Sequence, residues 1–501
     1  MLVKRSRQGC EECRRRRRKC DEQKPTCGQC AGFDRACNYT LKLVWGGRKF
    51  KKSRFGQCLR LPGDSAKPIN TDDGGFVYGV KAALLASKAP PVTLPQFLPN
   101  GVPLPQKYRT LLSYFTEGIL ASLSCHPSIH QDLCRGLVPA MLESPHLLSA
   151  SLALSAAGYV SRGLSEVDGV DILRILEHLH CSGLSLLSKA LAEGQMDEIM
   201  LATCLIWCLA DVFACGQGVS SWRIHLQGIK AILDGNPAHQ YFASNSGNAQ
   251  SAMRHLYLLY LSLQTLPYIP SPDAPQKAPI TANTAVQPAP SGKAALSRKI
   301  DGFLGYSEEL LHILQQINIA AESQDDGAQE MSTEADILLG KVKGMVSRDA
   351  KAPPDVFICE SLSPESGREF LFSHKIFQQA TLVYLYRTLY HMPSGSRPIQ
   401  DAIEEIMDMV SNMAQGQPCH TWVAMAMPIF TIGCEAFTDE QKGFVLDKIH
   451  QLEVCIGSLH VKVIRQALED MWKVRSDLGD VDGGLCASQL LGRLQYNIIL
   501  F

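Results

Sequence analysis

Residues 10–37 read CEECRRRRRKCDEQKPTCGQCAGFDRAC. Cysteines fall at Cys10, Cys13, Cys20, Cys27, Cys30 and Cys37, as two copies of C-x2-C-x6-C offset by 17 positions. A C-x2-C pair presents two thiolates to one ion from a single tight turn, and a third thiolate seven residues on closes over the same ion. Structural zinc takes four ligands in a tetrahedron, with Zn–S of about 2.3 Å. Three sulfurs per half leave each ion one ligand short. If one cysteine from each half bridges, six sulfurs fill the eight positions of two ions. No histidine lies in residues 1–40 to serve as a fourth ligand. The expected cofactor is therefore Zn2+, two ions per chain, with nearby Lys and Arg offsetting the thiolate charge.

Three other arrangements use six cysteines. A disulfide knot needs an oxidising compartment. Lys4, Arg5 and Arg7 are followed by no apolar stretch, so no secretory signal is expected. Iron–sulfur clusters use other familiar spacings. Two separate three-cysteine sites would each need a ligand from outside. Binuclear zinc accounts for the doubled spacing most economically.

The two halves share a scaffold and differ in charge. Arg14, Arg15, Arg16, Arg17, Arg18 and Lys19 fill the gap between Cys13 and Cys20, whereas Ala31 to Ala36 contains only Arg35. A metal site alone does not need six consecutive cations; a surface facing phosphates and guanine edges does. Neutralising the thiolates, or serving as a nuclear import signal, would also use such a row. The inequality of the halves favours nucleic acid. RNA is the weaker alternative, because Phe33 and Tyr39 are isolated and no paired aromatics are present to stack bases.

Charge along the chain agrees. Residues 1–60 hold 18 Lys and Arg against 5 Asp and Glu, and the rest of the chain 31 against 44. The formal net charge of zero thus hides a basic arm on an acidic body, which suits a polyanionic partner for the arm. The most apolar run, Ile199 to Ala210, stops at Asp211 and is shorter than the roughly 18 residues a membrane span needs. A soluble, intracellular protein with no membrane partner is expected. The twelve cysteines beyond the cluster, including Cys204 and Cys208 at i,i+4 spacing, read as small core hydrophobes.

Three regions follow from pattern: a zinc cluster at 1–40, a basic then Pro/Gly-rich linker at 41–105, and an all-α region at 106–501. Within the last, Tyr108, Leu111, Leu112, Phe115, Ile119 and Leu123 fall at helical spacing. Similar periodicity predicts helices over 147–159, 172–191, 198–213, 222–233, 369–390, 399–412, 421–436, 439–459 and 461–475. The prolines of 267–297 predict a disordered insertion, and the polar 322–336 a flexible loop. The fold class expected is mostly α, a small zinc cluster plus a large helical domain.

The run from Cys10 to Cys37 resembles the fungal binuclear zinc cluster family of transcription factors. The resemblance implies that Cys10 and Cys27 bridge, that Cys10, Cys13, Cys20 and Cys27 hold one ion, and that Cys10, Cys27, Cys30 and Cys37 hold the other. Pro25 matches the proline of the family's loop between halves, where the peptide is often cis. The helix after the second cysteine is implied to enter the major groove of double-stranded DNA and read a CGG-type triplet. Base contacts carry over to Arg16 and Arg17; the family often has Lys at the latter place. Arg14, Arg15, Arg18, Lys19 and Lys24 would meet phosphates, which position rather than specify. A phosphate-following role extends to Arg48, Lys49, Lys51 and Lys52.

Behind the cluster, YRTLLSYFTEGILASLSCHPS, SPHLLSASLALSAAGY, SWRIHLQGIKAIL, ATLVYLYRTLY and MPIFTIGCEAFTDEQ resemble the fungal-specific regulatory domain of such factors over roughly 106–475. Nuclear regulation of RNA polymerase II genes, and contact with co-regulators or the transcription machinery, are implied. Residues 41–105 lack sustained heptads, so any homodimer is expected to need the helical region. No catalytic motif accompanies His225 near Trp222 or His420 beside Cys419, and no catalytic residue is assigned.

Overall fold

Helical periodicity after residue 106 becomes a set of packed helices whose apolar faces meet in one core. The structure is a computed structural model describing residues 10–16, 18–24, 26–33, 35–37, 96–194, 197–214, 221–235, 248–265, 297–322, 328–358, 362–479 and 483–500. Most of the expected linker and the insertion expected over 267–297, up to residue 296, lie outside the described residues. The chain divides into two compact units, Met1–Ser87 and Lys88–Phe501. The first unit contains α1 (Glu11–Arg15) and α2 (Gly28–Ala31).

The second unit starts with α3 (Gln106–Tyr114), a π-helical turn (Phe115–Ile119) and α4 (Leu120–Ser122). Helices α5 (Pro127–Glu143), α6 (Pro145–Ser161), α7 (Ile172–Ala192), α8 (Glu198–Ala214), α9 (Ser221–Gly235) and α10 (Asn248–Thr265) follow. Then come α11 (Glu308–Glu322), α12 (Ala328–Lys351), α13 (Pro364–Thr388) and α14 (Arg397–Ser411). A 3-10 turn (Thr421–Met425) leads into α15 (Ala426–Glu435), and α16 (Asp439–Ile456), α17 (Leu459–Leu478) and α18 (Ala487–Arg493) complete the order. Among the described residues, strands are confined to two short pairs, one antiparallel and one parallel.

The core centres on α6 and α8. The apolar run Ile199 to Ala210 forms the middle of α8, and Trp207, Cys208 and Phe213 are fully enclosed. A helix that is apolar on all sides belongs in a core, and α8 packs against α6 and α9. Cys204 and Cys208 are both buried there. Among the described residues, no helix is long and apolar enough to cross a membrane.

Two departures from simple periodicity have local causes. The polar stretch 328–336, expected as part of a loop, is the start of α12. Ala335, Leu338, Val342 and Met345 are buried on one side of it, while Glu334 and Asp336 are exposed, as in an amphipathic helix. The helix over residues 106–122 carries a π turn, beside which the Tyr114 ring lies between two glycines. A Cβ at Gly118 or at Gly158 would come within 2.9 Å of that ring.

Long-range closure of the helical unit rests on a buried charged node. Arg387, Glu435 and Arg475 are each less than 7% exposed. Arg387 Nε lies 3.0 Å from Glu435 Oε2, an ion pair reinforced by a hydrogen bond from Ser394 to that carboxylate. Arg387 and Arg475 both donate to the Leu485 carbonyl, at 2.9 and 3.0 Å, so the node grips the C-terminal segment. Glu435→Ala leaves the buried Arg387 guanidinium without its counter-ion. It is expected to cost about 3–5 kcal/mol in the unfolding of the helical unit. Denaturant titration followed by circular dichroism checks this, and a loss under about 1 kcal/mol would contradict it.

Candidate metal centre and nucleic-acid interface

The 17-residue repeat of the cysteines is carried into the backbone. α1 begins at Glu11 and α2 at Gly28, and the bonds around them recur with the same offset. Arg18 N–H donates to the Cys13 carbonyl at 3.0 Å, and Arg35 N–H to the Cys30 carbonyl at 3.1 Å. Cys13 N–H points at Cys10 Sγ and Cys30 N–H at Cys27 Sγ, both at 3.4 Å. Cys10 N–H meets Cys20 Sγ at 3.4 Å, and Cys27 N–H meets Cys37 Sγ at 3.3 Å. Each half is thus a short helix whose first two sulfurs are set by one turn, with the third folded back over the first.

All the sulfurs converge. Cys10, Cys13, Cys20 and Cys27 form one group, and Cys10, Cys27, Cys30 and Cys37 another, with ligand atoms in each lying within 4.8 Å of one another. The two groups share Cys10 and Cys27, the pair that the family resemblance assigns as bridges. Sulfur separations are 3.7 Å for Cys10–Cys27, 3.6 Å for Cys10–Cys30 and 3.7 Å for Cys13–Cys27. A tetrahedron with Zn–S of about 2.3 Å has edges of roughly 3.8 Å, so the spacing suits tetrathiolate ligation. The cysteines are buried apart from the half-buried Cys37. Burial pushes the Cys13 thiol up to about 12 and the Cys30 thiol higher still. Thiolates in this enclosure need a cation beside them, and backbone N–H groups aimed at the sulfurs support the charged form.

The basic row lies on the first half. Arg15, Arg16, Arg18, Lys19 and Lys24 are exposed. Arg14 is helical, but its side chain lies outside the description, as do all of Arg17 and Pro25. Arg48, Lys49, Lys51 and Lys52 also fall outside the described residues. In the matching stretch of the second half, Arg35 leans over Phe33, 5.4 Å from the ring centroid.

Two acidic residues organise the cluster in ways that cysteine spacing does not disclose. Asp21 Oδ2 accepts the Gly28 N–H at 2.8 Å at the start of α2. A Cβ at position 28 would sit 2.6 Å from that oxygen, so glycine permits the approach. Glu12 Oε1 and Oε2 accept from Arg15 Nη2 and Nε at 3.0 Å, and Oε1 also accepts from Arg16 Nε at 2.8 Å. Arg35 Nη1 of the second half lies 3.8 Å from the same carboxylate. The hydrogen-bonding Arg15 guanidinium holds Glu12 below the ordinary carboxylate range. The i,i+3 and i,i+4 spacing of Glu12 to Arg15 and Arg16 was the available sequence signal.

Histidines of the helical unit have structural partners. His225 Nε2 lies 3.3 Å from the buried Asp211. His420 Nδ1 accepts the Trp422 N–H at 3.2 Å, capping the 3-10 turn. Ser251, His255 and Asp132 meet as well. The Ser251 hydroxyl donates to Asp132 at 3.3 Å, and both residues face the same His255 nitrogen, at 3.4 and 3.9 Å. A proton relay needs the base and the acid on opposite ring nitrogens, so this trio is a packing network.

Comparison with known proteins matches both units. The Fungal Zn(2)-Cys(6) binuclear cluster domain matches residues 8–45, and that domain binds two zinc ions. The Fungal specific transcription factor domain matches residues 110–490. A lysine biosynthesis regulatory protein of Saccharomyces cerevisiae is 66% identical over 56 residues, a stretch covering 11% of this chain and 6% of that relative. No solved structure matches. The family match extends over most of the chain behind a matched zinc cluster, and the protein belongs to the fungal zinc cluster transcription factors, as a DNA-binding transcription regulator with a fungal-specific transcription factor domain.

Proposed function

We propose that this protein is a nuclear, sequence-specific regulator of RNA polymerase II genes that reads a CGG-type triplet through the first half of its zinc cluster. The observation that carries the reading is the inequality of two superimposable halves. Backbone and sulfur geometry repeat at 17 residues, yet only the first helix runs into an exposed row of cations. Arg16 and Arg17 are assigned to base edges. Arg14, Arg15, Arg18, Lys19, Lys24, Arg48, Lys49, Lys51 and Lys52 are assigned to phosphates. The helical unit regulates activity through contacts with co-regulators or the transcription machinery and carries out no catalysis.

In the metal centre, Cys10 and Cys27 serve both ions, Cys13 and Cys20 complete one site, and Cys30 and Cys37 the other. The purified protein is expected to carry two zinc ions per chain by elemental analysis. Cys10→Ser or Cys27→Ser should release zinc at lower chelator concentration than Cys37→Ser, because each shared sulfur serves two ions. One zinc per chain, or equal tolerance of all three substitutions, contradicts shared ligation.

A bidentate arginine–guanine contact is worth about 1–3 kcal/mol of discrimination. Arg16→Ala or Arg17→Ala should therefore weaken binding to the preferred duplex about tenfold or more, with little effect on scrambled DNA. Changing Lys51 and Lys52 to Ala should weaken both duplexes alike and lower the salt slope by about one or two. Titrations on both duplexes at several salt concentrations separate the classes. Equal weakening of both duplexes by the arginine changes would make the row an anchor only.

Self-association is assigned to the helical unit, because residues 41–105 have no heptad run to form a coiled coil. Sedimentation of a 1–105 fragment is expected to show a monomer at micromolar concentration. A stable dimer of that fragment contradicts the assignment.

A further inference from the structure

Glu12 is a carboxylate placed among the cations that face DNA, where its charge opposes binding to a polyanion. Its contacts divide the neighbouring arginines into two kinds. Arg15 is engaged side-on, with Nε and Nη2 each 3.0 Å from a separate carboxylate oxygen. That edge of its guanidinium is consumed, although the side chain stays 69% exposed. Arg16 gives up only Nε, at 2.8 Å. Its two terminal nitrogens have no partner among the described residues, and its side chain is 43% exposed. An end-on fork of two terminal N–H groups matches the O6 and N7 acceptors of guanine.

The carboxylate also receives Arg35 from the other half, at 3.8 Å. Glu12 itself is 19% exposed, so three guanidiniums largely enclose it. An ordinary exposed helix pair would be screened and mobile. Here one carboxylate accepts from Arg15 and Arg16 and lies 3.8 Å from Arg35 of the other half.

We propose that Glu12 is a positioning residue for DNA reading, holding Arg16 with its end-on fork presented to a base edge while withdrawing Arg15 to a phosphate-facing role. The proposal rests on Arg16 as a base-reading residue. Neutralising Glu12 releases both arginines to find phosphates anywhere, so the protein should bind DNA more strongly and distinguish sequences less well. Cysteine spacing carries no information about this division, which depends on a residue inside the C-x2-C turn.

The test uses the full-length protein with two zinc ions per chain confirmed in every variant. Glu12→Gln, Glu12→Asp, Arg16→Ala and the Glu12→Gln/Arg16→Ala double variant are titrated against preferred and scrambled duplexes at several salt concentrations. Glu12→Gln is expected to tighten binding to scrambled DNA several-fold and to steepen the salt slope by about one. It should reduce the ratio of preferred to scrambled affinity about tenfold. Glu12→Asp keeps the charge and loses the reach, so its ratio should fall while its salt slope stays. In the Arg16→Ala background, Glu12→Gln should change the ratio no further, because the side chain it positions is gone. An unchanged ratio in both single Glu12 variants overturns the proposal, as does an equal loss with and without Arg16. If Arg16→Ala alone leaves the ratio intact, the base-reading assignment of Arg16 has failed, and the role of Glu12 falls with it.

Discussion

Six sulfur atoms drawn into one small volume govern everything the N-terminal unit does. Cysteine thiols enclosed this closely resist ionisation, and thiolates enclosed this closely repel one another. Divalent cations resolve the conflict by taking the place of the protons, and sharing Cys10 and Cys27 lets six ligands satisfy two tetrahedra. A segment this short, with α1 of five residues and α2 of four, cannot bury an apolar core of its own. Metal ligation takes the role that a core plays elsewhere, and the helix it fixes becomes a rigid mount for arginines. In the proposed reading, removing conformational freedom from that mount turns a basic segment, which any polyanion would attract, into one able to discriminate among base pairs.

The helical unit is held together by different physics. α8 is apolar on every face and is enclosed by its neighbours, so hydrophobic burial supplies the main driving force. Several polar groups in that interior are held in bonded sets. Arg387 pairs with Glu435, Arg387 and Arg475 both donate to the Leu485 carbonyl, and Asp211 meets His225. Such sets make the native arrangement specific, because any repacking that separates their members strands a charge away from water. The histidines that invite an enzymatic reading belong to this class of structural contact.

Much of the design was legible in the sequence wherever the determining forces act over short distances. The cysteine spacing announces its chemistry because ligand geometry is set within a single turn. Helices such as α7 and α14 are visible because a 3.6-residue apolar period maps directly onto burial, and α6 and α8 because they are long apolar runs. The start of α12 is obscured because its sequence before Leu338 is mostly polar and acidic. α5 is disguised by Pro139 within it, which costs one backbone bond but not the helix. The contacts of Arg387 with Glu435 and Leu485 join residues 48 and 98 positions apart and leave no local trace. In the cluster, the convergence of the six cysteines was legible and the contacts of Glu12 were not, since an acidic residue among arginines reads equally as a solvated helix pair.

The central claim is that metal-imposed rigidity, rather than positive charge alone, gives the basic row its ability to read DNA. Binding of the full-length protein to a preferred and a scrambled duplex should be measured before chelation, after removal of both zinc ions, and after their return. The account predicts that the stripped protein keeps weak, salt-sensitive binding to both duplexes with no preference, and that restoring two equivalents of zinc restores the preference. A stripped protein that still prefers its site would contradict the account.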